Sequence, residues 1–247
     1  MVRHILNLAA TEWLDEHGLT WLQVAPKIKL LPEPDQRSPY PLSWEEQERL
    51  FRELPVHLAR MALFLVNTGC REQVAAGLRW DWEVSVPEMG VSVFLVPANT
   101  PGVKNKRDLL VVLNRTARAV VDVCRGIHPE WVFTYQGHRI LRVNNTAWKG
   151  ARARAAETLE EETGRPAPDG YRRVRVHDLK HTFGRRLRAA GVSFEDRQDL
   201  LGHKSGRITT HYSAAEVGSL IAAAERVCGD ESRKSPALVL LKSAVSL

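Results

Sequence analysis

Tyr212 stands nine residues after His203 in the segment LGHKSGRITTHY (201–212), whose flanks are rich in cations. A tyrosine hydroxyl can act as a nucleophile and form a covalent intermediate. Its unperturbed pKa near 10 leaves only about 0.1% phenolate at neutral pH, and nearby cations raise that fraction. Three other segments carry matching side chains: TGCREQVAAGLRW (68–80), VKNKRD (103–108) and HDLKHTF (177–183). Breaking a phosphodiester needs an in-line nucleophile, charge stabilisation on the non-bridging oxygens and a proton for the leaving oxygen. These segments hold residue types for each role. The fork of Arg71 can bind two phosphate oxygens at once. His177 and Lys180 are three apart, so a helix places them on one face.

The charge balance points the same way. The formal net charge is +6. Residues 171–211 hold ten Lys or Arg against four Asp or Glu, so this segment alone carries +6 and the rest of the chain sums to zero. A local excess of that kind suits a polyanion such as DNA, although a solvated basic face would read the same on charge alone.

Other chemistries fit less well. The three cysteines, Cys70, Cys124 and Cys228, are far apart and never form a CxxC pair, so they read as small buried hydrophobes. His177 and His181 lie four apart and could chelate zinc from one helix face. The metalloprotease pattern, however, needs Glu directly after the first His, where this chain has Asp178. No run reaches the roughly 18 apolar residues of a membrane span. Glu12, Asp15 and Glu16 interrupt the start where a secretory signal would be apolar. The default expectation is a cytoplasmic protein.

The elements that must position these residues are legible in outline. Residues 3–17 read as a helix. Five of the thirteen prolines fall within 26–41, a density that blocks helix and central strand alike and suggests a linker. Ser43 and Glu46 form an S-x-x-E capping box that opens a helix. Helices are expected at 55–67, from Arg71, and at 115–126, 144–162, 177–190, 194–201 and 214–228. The runs VSVFLV (91–96) and LLVVL (109–113) flank a polar turn and predict an antiparallel hairpin within a small sheet. Val217, Leu220, Ile221, Ala224 and Val227 form an apolar stripe that could pack on its own core or dock on a neighbouring subunit. The fold class expected is α+β, mainly α-helical.

Taken together, the four segments resemble the motifs of the tyrosine recombinase (phage integrase) family, in the family's order and over about residues 37–228. The LGH followed by Tyr nine residues later is the most specific element. TG-x-R with a following LRW, and HDL-x-HTF, add independent support. The resemblance implies the family's DNA breaking–rejoining catalytic fold over 37–247, with a C-terminal tail at 214–247. Residues 1–36 would be a remnant helix of a core-binding domain plus the proline-rich linker.

It further implies site-specific recombination of prophage or genomic-island type. Tyr212 would attack the scissile phosphate of double-stranded DNA and form a 3′-phosphotyrosyl bond. Arg71 would clamp the phosphate, with Lys180, His177 and His203 around it. His177 would donate to a phosphate oxygen or manage the Tyr212 proton. A hairpin lysine, Lys104 or alternatively Lys106, would protonate the leaving 5′ oxygen. No cofactor and no metal are implied, because bond energy is kept in the phosphotyrosine. The family acts as a tetramer on attachment sites, with accessory DNA-bending or directionality factors possible. Such a protein would be phage-encoded or associated with a bacterial nucleoid.

Two positions depart from the family pattern. Lys180 stands where the family has arginine, keeping the charge and losing the planar fork. The acid often found three residues after the first arginine is Val74 here, while Glu72 directly follows Arg71. With the short N-terminus, these departures leave two rivals: a catalytically impaired DNA-binding integrase remnant, and a relaxing enzyme of the type IB topoisomerase class.

Overall fold

The computed structural model describes residues 1–29, 37–104, 107–203 and 213–228. The chain divides into two compact units, Met1–Ser38 and Pro39–Leu247.

The first unit holds one helix, α1 (Val2–Thr11). The helix expected over 3–17 stops six residues early. The Asp15 carboxylate accepts from the backbone N–H groups of His17 and Leu19, both at 2.9 Å. Aspartate competes with the helix ladder in this way, and Gly18 at φ +76° completes the turn.

The second unit opens on α2 (Trp44–Arg52), and the Ser43–Glu46 capping box forms as expected. The Ser43 hydroxyl accepts from the Glu46 N–H at 3.1 Å, and the Ser43 N–H donates to the Glu46 carboxylate at 2.8 Å. Helix α3 (Val56–Thr68) is buried around most of its circumference and forms the centre of the main core. After α4 (Glu72–Ala76) come three antiparallel strands in the order β1 (Glu83–Val86), β2 (Val91–Val96), β3 (Leu109–Val111). In the expected hairpin, Phe94 pairs with Val111 and Val96 with Leu109. The Asp108 carboxylate accepts from the Ala98 N–H at 2.9 Å and closes the base of the connecting loop.

Helix α5 (Arg115–Cys124) packs on α3, and a small hairpin, β4 (Thr134–Tyr135) and β5 (His138–Arg139), follows. Helix α6 (Thr146–Thr163) precedes the short α7 (Asp169–Arg172), then α8 (Val176–Ala189), α9 (Phe194–Leu200) and α10 (Ala214–Glu225). The mainly helical α+β class is thus the one observed.

Helix α8 divides cleanly into two faces. Leu179, Phe183 and Leu187, spaced by four, are fully buried, and each such burial stabilises by roughly 1.5–3 kcal/mol. The N-terminal end of α8 is tied to the start of the unit. Asp178 accepts from the N–H groups of Arg175 at 2.8 Å and Tyr40 at 3.1 Å, and Thr182 accepts from that of Leu42 at 3.0 Å. The stripe on α10 is buried against Val86, Val93 and Phe183 of its own unit. In this single chain the stripe therefore packs on its own unit. The remaining tail, 229–247, lies outside the described residues.

Candidate active site

Arg71 is placed by the junction between α3 and α4. Gly69 ends α3 in the left-handed region at φ +64°, and Arg71 is the residue before α4 begins. A Cβ on Gly69 would lie 2.6 Å from Phe183 and 2.9 Å from Leu201, so only glycine lets this turn sit against α8 and the end of α9. The Arg71 Nη1 donates to the Gly102 carbonyl at 3.2 Å. Gly102, at φ +90°, approaches α4 so closely that a Cβ would meet Gln73 at 2.8 Å. This contact brings the β2–β3 loop, and with it Lys104, alongside Arg71.

His203 is placed by a second close approach. Gly202 has φ +57°, and its absent Cβ would lie 2.5 Å from Leu109 of β3. The His203 N–H donates to the Gln198 carbonyl at 2.9 Å, which ends α9 in a defined turn.

Lys180 links these two turns. It is only 6% exposed, and its ammonium donates to the Gly69 carbonyl at 2.9 Å and to the Leu201 carbonyl. Burial, reinforced by the neighbouring charges of Arg71 and Lys104, pulls its pKa down to about 8. His177 and His203 are both held below the ordinary histidine value, first by desolvation and then by the cations around them. The ring of His177 meets that of His181 edge-on, with centroids 4.9 Å apart.

The result is one open cleft of about 900 Å³, and Arg71, Lys104, His177, Lys180 and His203 all line it. Its walls obey helical periodicity. Helix α8 contributes His177, Lys180, His181, Gly184, Arg185 and Arg188, the face opposite its buried leucines. Helix α9 and its C-terminal turn contribute Phe194, Arg197, Gln198 and Leu201. Among the described residues lining the cleft, six are Lys or Arg, three are His and none is Asp or Glu. Such a surface suits a polyanion with a phosphate at the Arg71 end. Tyr212 and Lys106 lie outside the described residues.

Sequence reasoning left His181, Arg185, Arg188, Phe194, Arg197 and Gln198 without a role. The three-and-four spacing along α8 from His177 was the signal that could have found Arg185 and Arg188. Among the described residues, no group of three or more His, Cys, Asp or Glu side chains is placed to hold a metal ion. Glu72 has a structural task. Its carboxylate accepts from the N–H groups of Val143 and Asn144 at 2.5 and 2.7 Å, while Val74 is fully buried. Arg79 is also structural, pairing with Asp81 and Glu130 and lying over the Trp131 ring at 5.2 Å.

Residues 44–218 match the phage integrase family, and the chain belongs to it. It is 27% identical over 225 residues to the integrase of Salmonella phage P22, an alignment covering 86% of this chain and 51% of that protein. The chain thus spans about half the length of the curated relative it matches. Among solved structures, the Tn1549 transposon integrase in complex with circular intermediate DNA is 16% identical, with a TM-score of 0.47 over 76% of this chain and 66% of that one. The XerA recombinase is 18% identical, with a TM-score of 0.44 over 83% and 67%. No helix among the described residues is long and apolar enough to cross a membrane.

Proposed function

We propose that this chain is a site-specific DNA recombinase that cleaves and rejoins double-stranded DNA through a 3′-phosphotyrosyl intermediate. The observation that carries this reading is a cleft, with no Asp or Glu among its described lining residues, on which Arg71, Lys104, His177, Lys180 and His203 converge from four separate segments. In the reaction, the Tyr212 oxygen bonds to the scissile phosphorus as the bond from phosphorus to the 5′ oxygen breaks. The fork of Arg71, with His177 and His203, takes the non-bridging oxygens as charge develops on them. Lys180 adds a positive charge beneath them. Lys104 gives its proton to the leaving 5′ oxygen, an alkoxide far more basic than a lysine amine. The phenol proton leaves through His177 or to solvent. Attack by the 5′ hydroxyl of another strand reverses these steps and joins the new partner, so no external energy source is consumed.

Residues 1–36 are read as a helix belonging to the family's core-binding domain, followed by the linker. Recombination between two sites needs four active sites, and self-association on DNA to a tetramer follows from that requirement. Strand joining tests the proposal. A nicked duplex is incubated with the protein and a labelled strand bearing a free 5′ hydroxyl. A longer labelled strand, formed without ATP or added metal, is the expected product. Retention of duplex DNA with neither cleavage nor joining would instead favour a DNA-binding integrase remnant.

A further inference from the structure

The site residues make up only part of the lining of the cleft. Helix α9 also turns one face into it, carrying Phe194, Arg197 and Gln198 at spacings of three and four. Phe194 is 62% exposed, an unusual setting for a large apolar ring amid cations. The Arg197 guanidinium lies 5.7 Å from the centroid of that ring, and its Nε donates to the Ser193 carbonyl at 3.3 Å. The pair is therefore presented in a set geometry. Among the described residues, the Gln198 side-chain amide has no hydrogen-bond partner.

Arginine and glutamine can each hold a phosphate, but an exposed phenylalanine cannot, and the three side chains together suit a base edge better than a backbone. A phosphate contact needs only charge, which Arg185 and Arg188 on the facing helix supply. A glutamine amide matches the paired donor and acceptor on the adenine edge, and an arginine fork matches guanine. An exposed aromatic ring gains from the thymine methyl group, the apolar feature of the major groove. We infer that Phe194, Arg197 and Gln198 form a base-reading surface for the duplex beside the scissile phosphate, with Phe194 taking a thymine methyl. This rests on the proposal that the cleft binds double-stranded DNA, and it assigns α9 a part of the sequence specificity.

The test is selection of bound duplexes from a randomised pool by the full chain, which does not require cleavage. Wild type, Phe194→Ser, Gln198→Ala and Arg188→Ser are compared, and all three substituted side chains border open cleft. Phe194→Ser and Gln198→Ala should each flatten the base preference at one or two neighbouring positions. Arg188→Ser should weaken all sequences together and reduce the salt slope by about one. Replacing thymine by deoxyuridine at the position Phe194 reads should weaken wild type by about fourfold, the factor for one buried methyl, and leave Phe194→Ser unaffected. Unchanged base preferences in Phe194→Ser and Gln198→Ala, or uniform weakening like that of Arg188→Ser, would overturn the inference while leaving the proposed function standing. Failure of wild type to retain any duplex would overturn both.

Discussion

The Lys180 ammonium donates to the Gly69 carbonyl, two residues ahead of Arg71, at a distance of 2.9 Å. Its second bond, to the Leu201 carbonyl, falls two residues ahead of His203. One buried cation thus joins the two turns that deliver the site's arginine and one of its histidines. An ammonium has three donors, and two are already committed to carbonyls, so at most one remains for a phosphate oxygen. The lysine differs from an arginine here in chemistry as well as shape, because burial brings its pKa to about 8.

That value gives a pH dependence with a definite sign. Lys180 carries its charge below about 8 and loses it above. The second-order rate of covalent adduct formation reports the free protein, so it should fall as pH rises through that value. In Lys180→Arg the guanidinium stays charged, and the decline should disappear up to pH values of about 10. Rate–pH profiles of the two proteins on one nicked duplex check this. Superimposable profiles would remove Lys180 from the charge balance of the site.

The histidines give a second sign. His177 and His203 are below the ordinary histidine value in the free protein, so both are mainly neutral at pH 7. A bound phosphate opposes the cations that depress them and raises both values. DNA binding should therefore take up protons, and affinity should grow as pH falls through the histidine range. Calorimetry at about pH 6–6.5, where Lys180 is already charged, in buffers of different ionisation enthalpy measures the uptake, which should fall sharply in the double variant His177→Asn, His203→Asn.

Gly69→Ala should destabilise the protein by about 2–4 kcal/mol, combining the cost of a left-handed backbone with overpacking against Phe183 and Leu201. Urea denaturation gives the number. A loss below about 1 kcal/mol would mean that the α3–α4 turn adjusts freely, contrary to the tight placement of Arg71.

Glu72 should separate stability from chemistry. Glu72→Ala strands the N–H groups of Val143 and Asn144, at a cost of about 1–3 kcal/mol. Adduct formation per folded molecule should stay within about twofold of wild type. A loss of two orders of magnitude would instead make Glu72 part of the machinery.

The sequence was most informative where a single local rule decides the outcome. The Ser43 capping box, the 91–96/109–111 hairpin and the shared face of His177 and Lys180 each follow from spacing alone. It was least informative where two distant segments meet. Nothing local in the sequence indicates that Gly102 lies against Gln73, or that Lys180 spends its donors on Gly69 and Leu201 rather than in open solvent. The expected first helix failed at Asp15 because a side chain captured backbone donors that the apolar pattern assigned to the helix. That the α10 stripe meets Phe183 and Val86 of its own unit is likewise nothing its spacing alone indicates.

Covalent capture on a nicked duplex, whose nick lets the cleaved 5′ strand diffuse away, tests the central claim most directly. SDS-resistant adducts are digested, and the peptide bearing the nucleotide is sequenced by mass spectrometry. The account predicts an adduct on Tyr212, absent from Tyr212→Phe and sharply reduced in Arg71→Ala. An adduct on another residue, or one that persists in Tyr212→Phe, would contradict it.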